Sequence, residues 1–144
     1  MNILFVCSQN VGRSQTAAAL YNSLVSDGHA DSAGTKVGDE EGQTLAERAK
    51  VSNGAKEVLQ VMHELGMDLS RHTRKQVRPE QLAQYDKVIV MAEPDTIPDW
   101  LRQSDKFVYW DVPDPRYLGL DAHRITLDAL RRRIVELIES TSAG

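Results

Sequence analysis

Apolar residues follow two rhythms along this chain. Continuous runs are short: Ile3, Leu4, Phe5 and Val6 fill Asn2 to Cys7, Val88, Ile89 and Val90 fill Lys87 to Met91, and Phe107 to Trp110 makes a third. Runs of this length without polar alternation predict strands buried on both faces of a parallel sheet. His29 to Ala33 predicts a weaker strand, ended by Gly34-Thr35. The second rhythm is helical. Ser14 to about Asp27 carries Ala17, Ala18, Ala19, Leu20, Leu24 and Val25, with Asp27-Gly28 as a stop. Asn53 is placed to cap a helix through Ala55, Val58, Leu59, Met62 and Leu65, with Gly66 at its end. Asp121 to Ser140 predicts a long amphipathic helix with Leu127, Leu130, Ile134, Leu137 and Ile138 on one side.

The segments between are polar or proline-bound. Lys36 to Glu47 has no apolar period and reads as a surface loop or irregular helix, and Pro79 to Tyr85 as a short helix opened by proline. Pro94 and Pro98 limit Asp95 to Gln103 to a short helix around Trp100 and Leu101. Asp111-Val112-Pro113-Asp114-Pro115 must be a rigid, extended loop. Four strands alternating with helices predict a single α/β domain over residues 1–144, a four-stranded parallel sheet with right-handed crossovers and helices on both faces. Ligands of such sheets bind beyond the carboxyl ends of the strands. Cys7, Met91 and Asp111 lie at or just past those ends, so the loops after Cys7 and around Asp114 are expected to face one pocket.

Composition narrows this picture in a few places. A chain of 144 residues with 41% hydrophobic residues is sized for one compact domain. A net charge of −4 gives no global basic bias, so no nucleic-acid partner is expected. The first apolar run is too short for a signal-peptide core or a membrane span, which makes a cytoplasmic location and no membrane partner the expectation. The single cysteine cannot form an internal disulfide and is either a buried small hydrophobe or a reactive thiol. The histidines lack a ligand spacing such as His-x3-His, and no metal or other cofactor is expected. The sequence leaves a monomer or a weak dimer open.

The candidate chemistry lies in Cys7-Ser8-Gln9-Asn10-Val11-Gly12-Arg13-Ser14, at a strand-to-helix junction. A cysteine attacks only as the thiolate, which a helix N-terminus and a nearby guanidinium favour. Backbone N–H groups of a tight loop entering a helix bind an anion, and an arginine grips two of its oxygens. Ser14 is placed to donate its hydroxyl to the sulfur. Asn10, mid-loop, tolerates a left-handed backbone and can tie the loop together through its side chain.

At these residues the sequence resembles the low-molecular-weight protein tyrosine phosphatase family, whose Cys-x5-Arg-Ser loop follows a first strand and has asparagine three positions after the cysteine. Ser32-Ala33-Gly34-Thr35, His63 to Asp68 with His72 and Lys75-Gln76, Tyr85 to Met91, and Asp111 to Pro115 match further family segments in the same order. The resemblance spans Met1 to about Leu137. It implies a sheet in the order 2-1-3-4, with a phosphate loop between the first strand and first helix. It also implies catalysis by Cys7 as nucleophile, Arg13 on the equatorial oxygens, Asp114 as general acid and base, and Ser14 stabilising the leaving thiolate. Ser8, Gln9, Asn10, Val11 and Gly12 would bind substrate with Arg116 and Tyr117. Substrates would be phosphorylated proteins or small phosphomonoesters, and the product inorganic phosphate.

Several positions depart from the family. Gln9 stands where a glycine is usual, Gly12 where a second cysteine is usual, and Gln15 where proline is common. A protective disulfide within the loop is therefore not available. Arg116 replaces an aromatic after Asp-Pro, which removes part of a wall suited to phenyl rings and favours an anionic substrate. Other readings stay open at this point. An arsenate reductase would need an external small thiol, a phosphoarginine phosphatase usually carries threonine where Val11 stands, and a phosphate-binding module would have lost turnover. Asp114 is also a turn-former. Arg71, His72, Arg74, Lys75 and Arg78 read as a solvated face rather than a docking patch. Histidines 29, 63 and 123 read as surface residues, and Trp100 and Trp110 as packing.

Overall fold

The computed structural model describes residues 1–142; Ala143 and Gly144, the last two of the expected domain, lie outside the described residues. Strands β1 (Asn2–Cys7), β2 (His29–Gly34), β3 (Lys87–Val90) and β4 (Phe107–Tyr109) form one sheet in the order β2-β1-β3-β4, parallel throughout. Helices α1 (Arg13–Leu24), α2 (Leu45–Ala49), α3 (Asn53–Glu64), α4 (Asp99–Arg102) and α5 (Leu120–Ser142) surround it.

The central strand explains the continuous apolar run. Ile3 and Phe5 pack on one face with Leu20, Tyr21, Met62, Leu130 and Ile134. Leu4 and Val6 pack on the other with Val77, Val88, Ile97 and Leu101. Both faces are covered, so no polar alternation survives. The sheet register aligns the carboxyl ends: Cys7 pairs with Gly34, Val6 with Val90, and Val90 with Tyr109. The segments that leave these ends therefore emerge side by side. Helix α1 is buried along most of its length, from Arg13 to Ala18 and at Leu20 and Tyr21. Its alanines permit that close packing.

Boundaries differ from the sequence reading in ways the backbone explains. Helix α1 stops at Leu24, before Asp27-Gly28, because Val25 is already extended. Gly28 turns the chain at φ +100°, where a Cβ would lie 2.4 Å from the Met1 carbonyl oxygen. The cap of α3 is Ser52, whose Oγ accepts from the Ala55 N–H at 3.2 Å, and Asn53 is the first helical residue. Lys36 to Glu47 is more ordered than its polarity suggests. It holds a 3-10 turn at Gly38–Glu40, then α2 opened by a Thr44–Glu47 capping box, with Val37 and Leu45 buried. Its backbone is stitched to residues 70–76 by bonds such as Gly42 N–H to the Arg74 carbonyl and Leu45 N–H to the His72 carbonyl.

Glu41 fastens this loop from outside. Its carboxylate accepts from both Arg78 Nη groups at 2.8 and 2.7 Å and from the Gln76 N–H at 2.9 Å. The Arg78 hydrogen bonds, aided by the Gln76 N–H, hold its pKa at about 2 rather than 4.5. A carboxyl whose folded pKa is depressed contributes stability above its unfolded value and loses it as pH falls through the folded one. The stability gap between wild type and Glu41→Gln should therefore be full above pH 4.5 and close towards pH 2. Thermal unfolding of the two proteins across that range measures it, and a gap that does not change with pH would refute the linkage.

Candidate active site

Cys7 ends β1 and is 2% exposed, with its Sγ 3.0 Å from Ser14 Oγ in the first turn of α1. Asn10 decides the direction of that contact. Its Oδ1 accepts from the Lys75 backbone N–H at 2.8 Å, which fixes the amide orientation, so Nδ2 donates to Ser14 Oγ at 2.8 Å and Ser32 Oγ at 3.0 Å. With an acceptor lone pair of Ser14 so occupied, its hydroxyl proton is free to point at sulfur. Asn10 itself sits at φ 55°, the left-handed conformation that the sequence allowed for it. The bend turns successive backbone groups outward. Among the described residues, the N–H groups of Gln9 through Ser14 donate to no protein acceptor, the arrangement that makes a loop entering a helix an anion cradle.

Arg13 ties this loop to the ends of β3 and β4. Its Nη1 donates to the Met91 carbonyl at 2.6 Å and the Val112 carbonyl at 2.9 Å, and Nη2 donates to Glu93 Oε1 at 3.0 Å. The same Nη2 lies 3.8 Å from Asp114 Oδ2. Asp114 also forms a local turn, accepting from the Arg116 N–H at 2.9 Å, so the turn-forming and site-facing readings of this residue both hold. One cavity joins these groups. Cys7, Val11, Gly12 and Arg13 line it together with Asp114, Pro115 and Arg116 and with Ala55 and Val58 of α3. Among the described residues, no Phe, Tyr or Trp side chain lines it.

The remaining candidates separate. Gln9 faces the cavity, but Ser8 and Asn10 turn their side chains into the scaffold, Ser8 Oγ accepting from the Glu93 N–H at 3.1 Å. Tyr117 is 88% exposed and outside the cavity lining, with the Arg116 guanidinium 5.1 Å from its ring centre. Trp110 is buried in the core, and Trp100 packs against the Leu4 and Val6 cluster. Two residues correct the sequence reading. Arg74 is fully buried rather than part of a solvated face, because its guanidinium finds acceptors on Gln9 and Gln43. His123 is also buried, at the junction of the cavity with α3 and α5. Its Nε2 is 3.1 Å from Glu57 Oε2 but at an angle that makes no hydrogen bond, and burial pulls its pKa below the usual 6.5 against the pull of Glu57 and Asp114.

The chain and its fold have counterparts among known proteins. A family model described as low molecular weight phosphotyrosine protein phosphatase matches residues 2–143. A low molecular weight protein tyrosine phosphatase from T. tengcongensis is 30% identical, with 97% of this chain and 99% of that one covered and a TM-score of 0.76. The chain belongs to the low molecular weight phosphotyrosine protein phosphatase family. The YwlE arginine phosphatase from Geobacillus stearothermophilus is similar at 26% identity, with 99% and 93% covered and a TM-score of 0.78. Vibrio vulnificus Wzb, solved with benzylphosphonate, shares the fold at 20% identity, 96% and 97% coverage and a TM-score of 0.77.

Within this phosphatase two of the departures from the family pattern, Gln9 and Gln15, meet one neighbouring segment. Gln9 meets Arg74, and Gln15 Nε2 donates to the Thr73 carbonyl at 3.0 Å. Gly12 leaves room: a Cβ there would stand 3.4 Å from Val58 Cγ2. Glu93 was not singled out by sequence, although its place just past β3 was a signal for a residue facing the site.

Asn10→Ala should destabilise the fold by about 1–3 kcal/mol, since it strands buried partners on three segments. Asn10→Gly removes the same bonds but adopts φ 55° freely, so it should be the more stable of the two by about 1 kcal/mol. Urea denaturation of the pair separates backbone conformation from hydrogen bonding.

Proposed function

We propose that this phosphatase hydrolyses phosphate monoesters, foremost protein phosphotyrosine, through a phosphocysteine on Cys7. The observation that carries the reading is the meeting of two loops at Arg13, whose Nη2 lies 3.8 Å from Asp114 while Cys7 and Asp114 line one cavity. Cys7 Sγ attacks phosphorus in line, and the bond to the ester oxygen breaks as Asp114, in its acid form, gives that oxygen a proton. Arg13 and the free loop N–H groups stabilise the equatorial oxygens. Asp114, now a carboxylate, takes a proton from the attacking water. The phosphorus–sulfur bond breaks, and the Ser14 hydroxyl stabilises the departing thiolate. No step needs a metal or cofactor. The Gln9 side chain, Val11, Gly12 and Arg116 border the substrate, while Ser8 and Asn10 act through the loop backbone, with Tyr117 at the outer rim beside Arg116. The products are inorganic phosphate and the free alcohol, and the expected setting is the cytoplasm.

The similarity to an arginine phosphatase supports phosphoarginine as a second substrate. Aliphatic Val11 and cationic Arg116 at the cavity favour phosphotyrosine over a guanidinium-bearing group. Arsenate reduction needs an external thiol to release the Cys7 adduct, because the chain has one cysteine.

The purified protein should hydrolyse para-nitrophenyl phosphate without added metal, with vanadate inhibiting and Cys7→Ser inactive. Asp114→Ala should lower kcat by about 100-fold or more for poor leaving groups and far less for good ones. Equal losses across the series would remove Asp114 as the acid. Arsenate reduction with glutathione, with no aryl phosphate turnover between about pH 5 and 7, would replace the phosphatase reading.

A further inference from the structure

The least expected group in the molecule is Arg74. It is a fully buried arginine outside the cavity lining, and no step assigned above uses it. A buried guanidinium must find acceptors for its donors, since an unpaired charge away from water is strongly unfavourable. Here Nε donates to the Gln9 carbonyl at 2.9 Å and Nη2 to Gln9 Oε1 at 2.9 Å, while Nη1 donates to Gln43 Oε1 at 2.8 Å. Two of these bonds go to one residue of the phosphate loop, Gln9.

The charge balance is unusual. Among the described residues, the one carboxylate paired with Arg74 is Glu40, with Oε2 3.2 Å from Arg74 Nη1, and the same oxygen lies 3.0 Å from Arg48 Nη1. Glu40 is 45% exposed and divides its charge between two guanidinium groups. Arg74 therefore keeps a positive charge that is incompletely neutralised, in a fully buried site bonded directly to the cradle residue Gln9. Its backbone is equally fixed: Arg74 N–H donates to the Gln43 carbonyl, and its carbonyl accepts from Gly42. The adjoining Lys75 N–H holds Asn10.

We propose that Arg74 is a positioning residue that holds the Gln9 peptide of the phosphate loop and supplies a second fixed cation, outside the cavity lining, for the bound oxyanion. Gln9 and Arg74 form a unit: the amide side chain that replaces glycine gives the buried guanidinium its second acceptor on the loop. The inference rests on reading the loop as an oxyanion cradle and is independent of which ester is hydrolysed.

Inorganic phosphate is the probe, since its binding requires no turnover. Its affinity should be measured by calorimetry on the full-length protein and as competitive inhibition of para-nitrophenyl phosphate hydrolysis. Arg74→Gln should weaken phosphate by about tenfold or more, raise KM more than it lowers kcat, and move the acid limb of kcat/KM to higher pH. Arg74→Lys, which keeps the charge without the fork, should recover part of each loss. Unchanged phosphate affinity and pH profile in folded Arg74→Gln would overturn the proposal. Should that variant not fold, Glu40→Gln at the surface tests the charge alone. It should tighten phosphate by about threefold, and the gain should persist when Arg48→Gln is added. No gain, or a gain lost with Arg48→Gln, would overturn the role of Arg74. Wild-type protein that fails to bind phosphate removes both this inference and the phosphatase reading. Phosphate binding sensitive to Arg74, without ester hydrolysis, removes the phosphatase reading alone.

Discussion

The constraint on which this site depends is the left-handed backbone at Asn10. A loop that must turn its N–H groups outward has to bend sharply, and the bend is held from inside by a side chain whose amide is fully used. Asn10 reaches Ser14 on α1, Ser32 on β2 and the Lys75 peptide, all buried or part-buried. Each bond alone contributes modestly, but a satisfied buried network specifies one conformation in a way that apolar packing does not. The same residue orients the Ser14 hydroxyl and thereby the environment of the sulfur.

Around that bend, charge is arranged against the protein's overall sign. The chain is acidic, with a net charge of −4, yet Arg13, Arg48 and Arg116 line the cavity and buried Arg74 bonds to Gln9 of its lining. Each has a carboxylate neighbour: Glu93 and Asp114 for Arg13, Glu40 for Arg48 and Arg74, Asp114 for Arg116. These carboxylates are partly exposed, whereas Arg13 and Arg74 are buried. Positive potential is concentrated inward and negative charge outward. That ordering lets an anion compete for the cations from the cavity side.

The sheet and the loop motif were legible because both are local. A continuous apolar run marks a strand covered on both sides, and a cysteine, an arginine and a serine within eight residues can be read together. Asp114 was reachable through its proline-bound segment and the family resemblance. Arg74 was not, since a stretch with several cations looks solvated, and its acceptors Gln43 and Gln9 lie 31 and 65 residues away. His123 could have been found: it precedes Leu127 by one helical repeat and continues the buried stripe of α5 through Leu130 and Ile134. It reads as a surface residue because it is polar and stands at the helix start.

The bonds of Arg13 run to carbonyls 78 and 99 residues later in the chain. Contacts of such sequence separation form late, because the loop entropy of closing them opposes folding until much of the chain has collapsed. The Cys7 loop thus precedes in the chain the segments that complete its surroundings. On the ribosome, a chain that has emerged only as far as α3 carries Cys7 without β3, Glu93 or the Asp114 loop, so the cavity closes only when the later segments have been added.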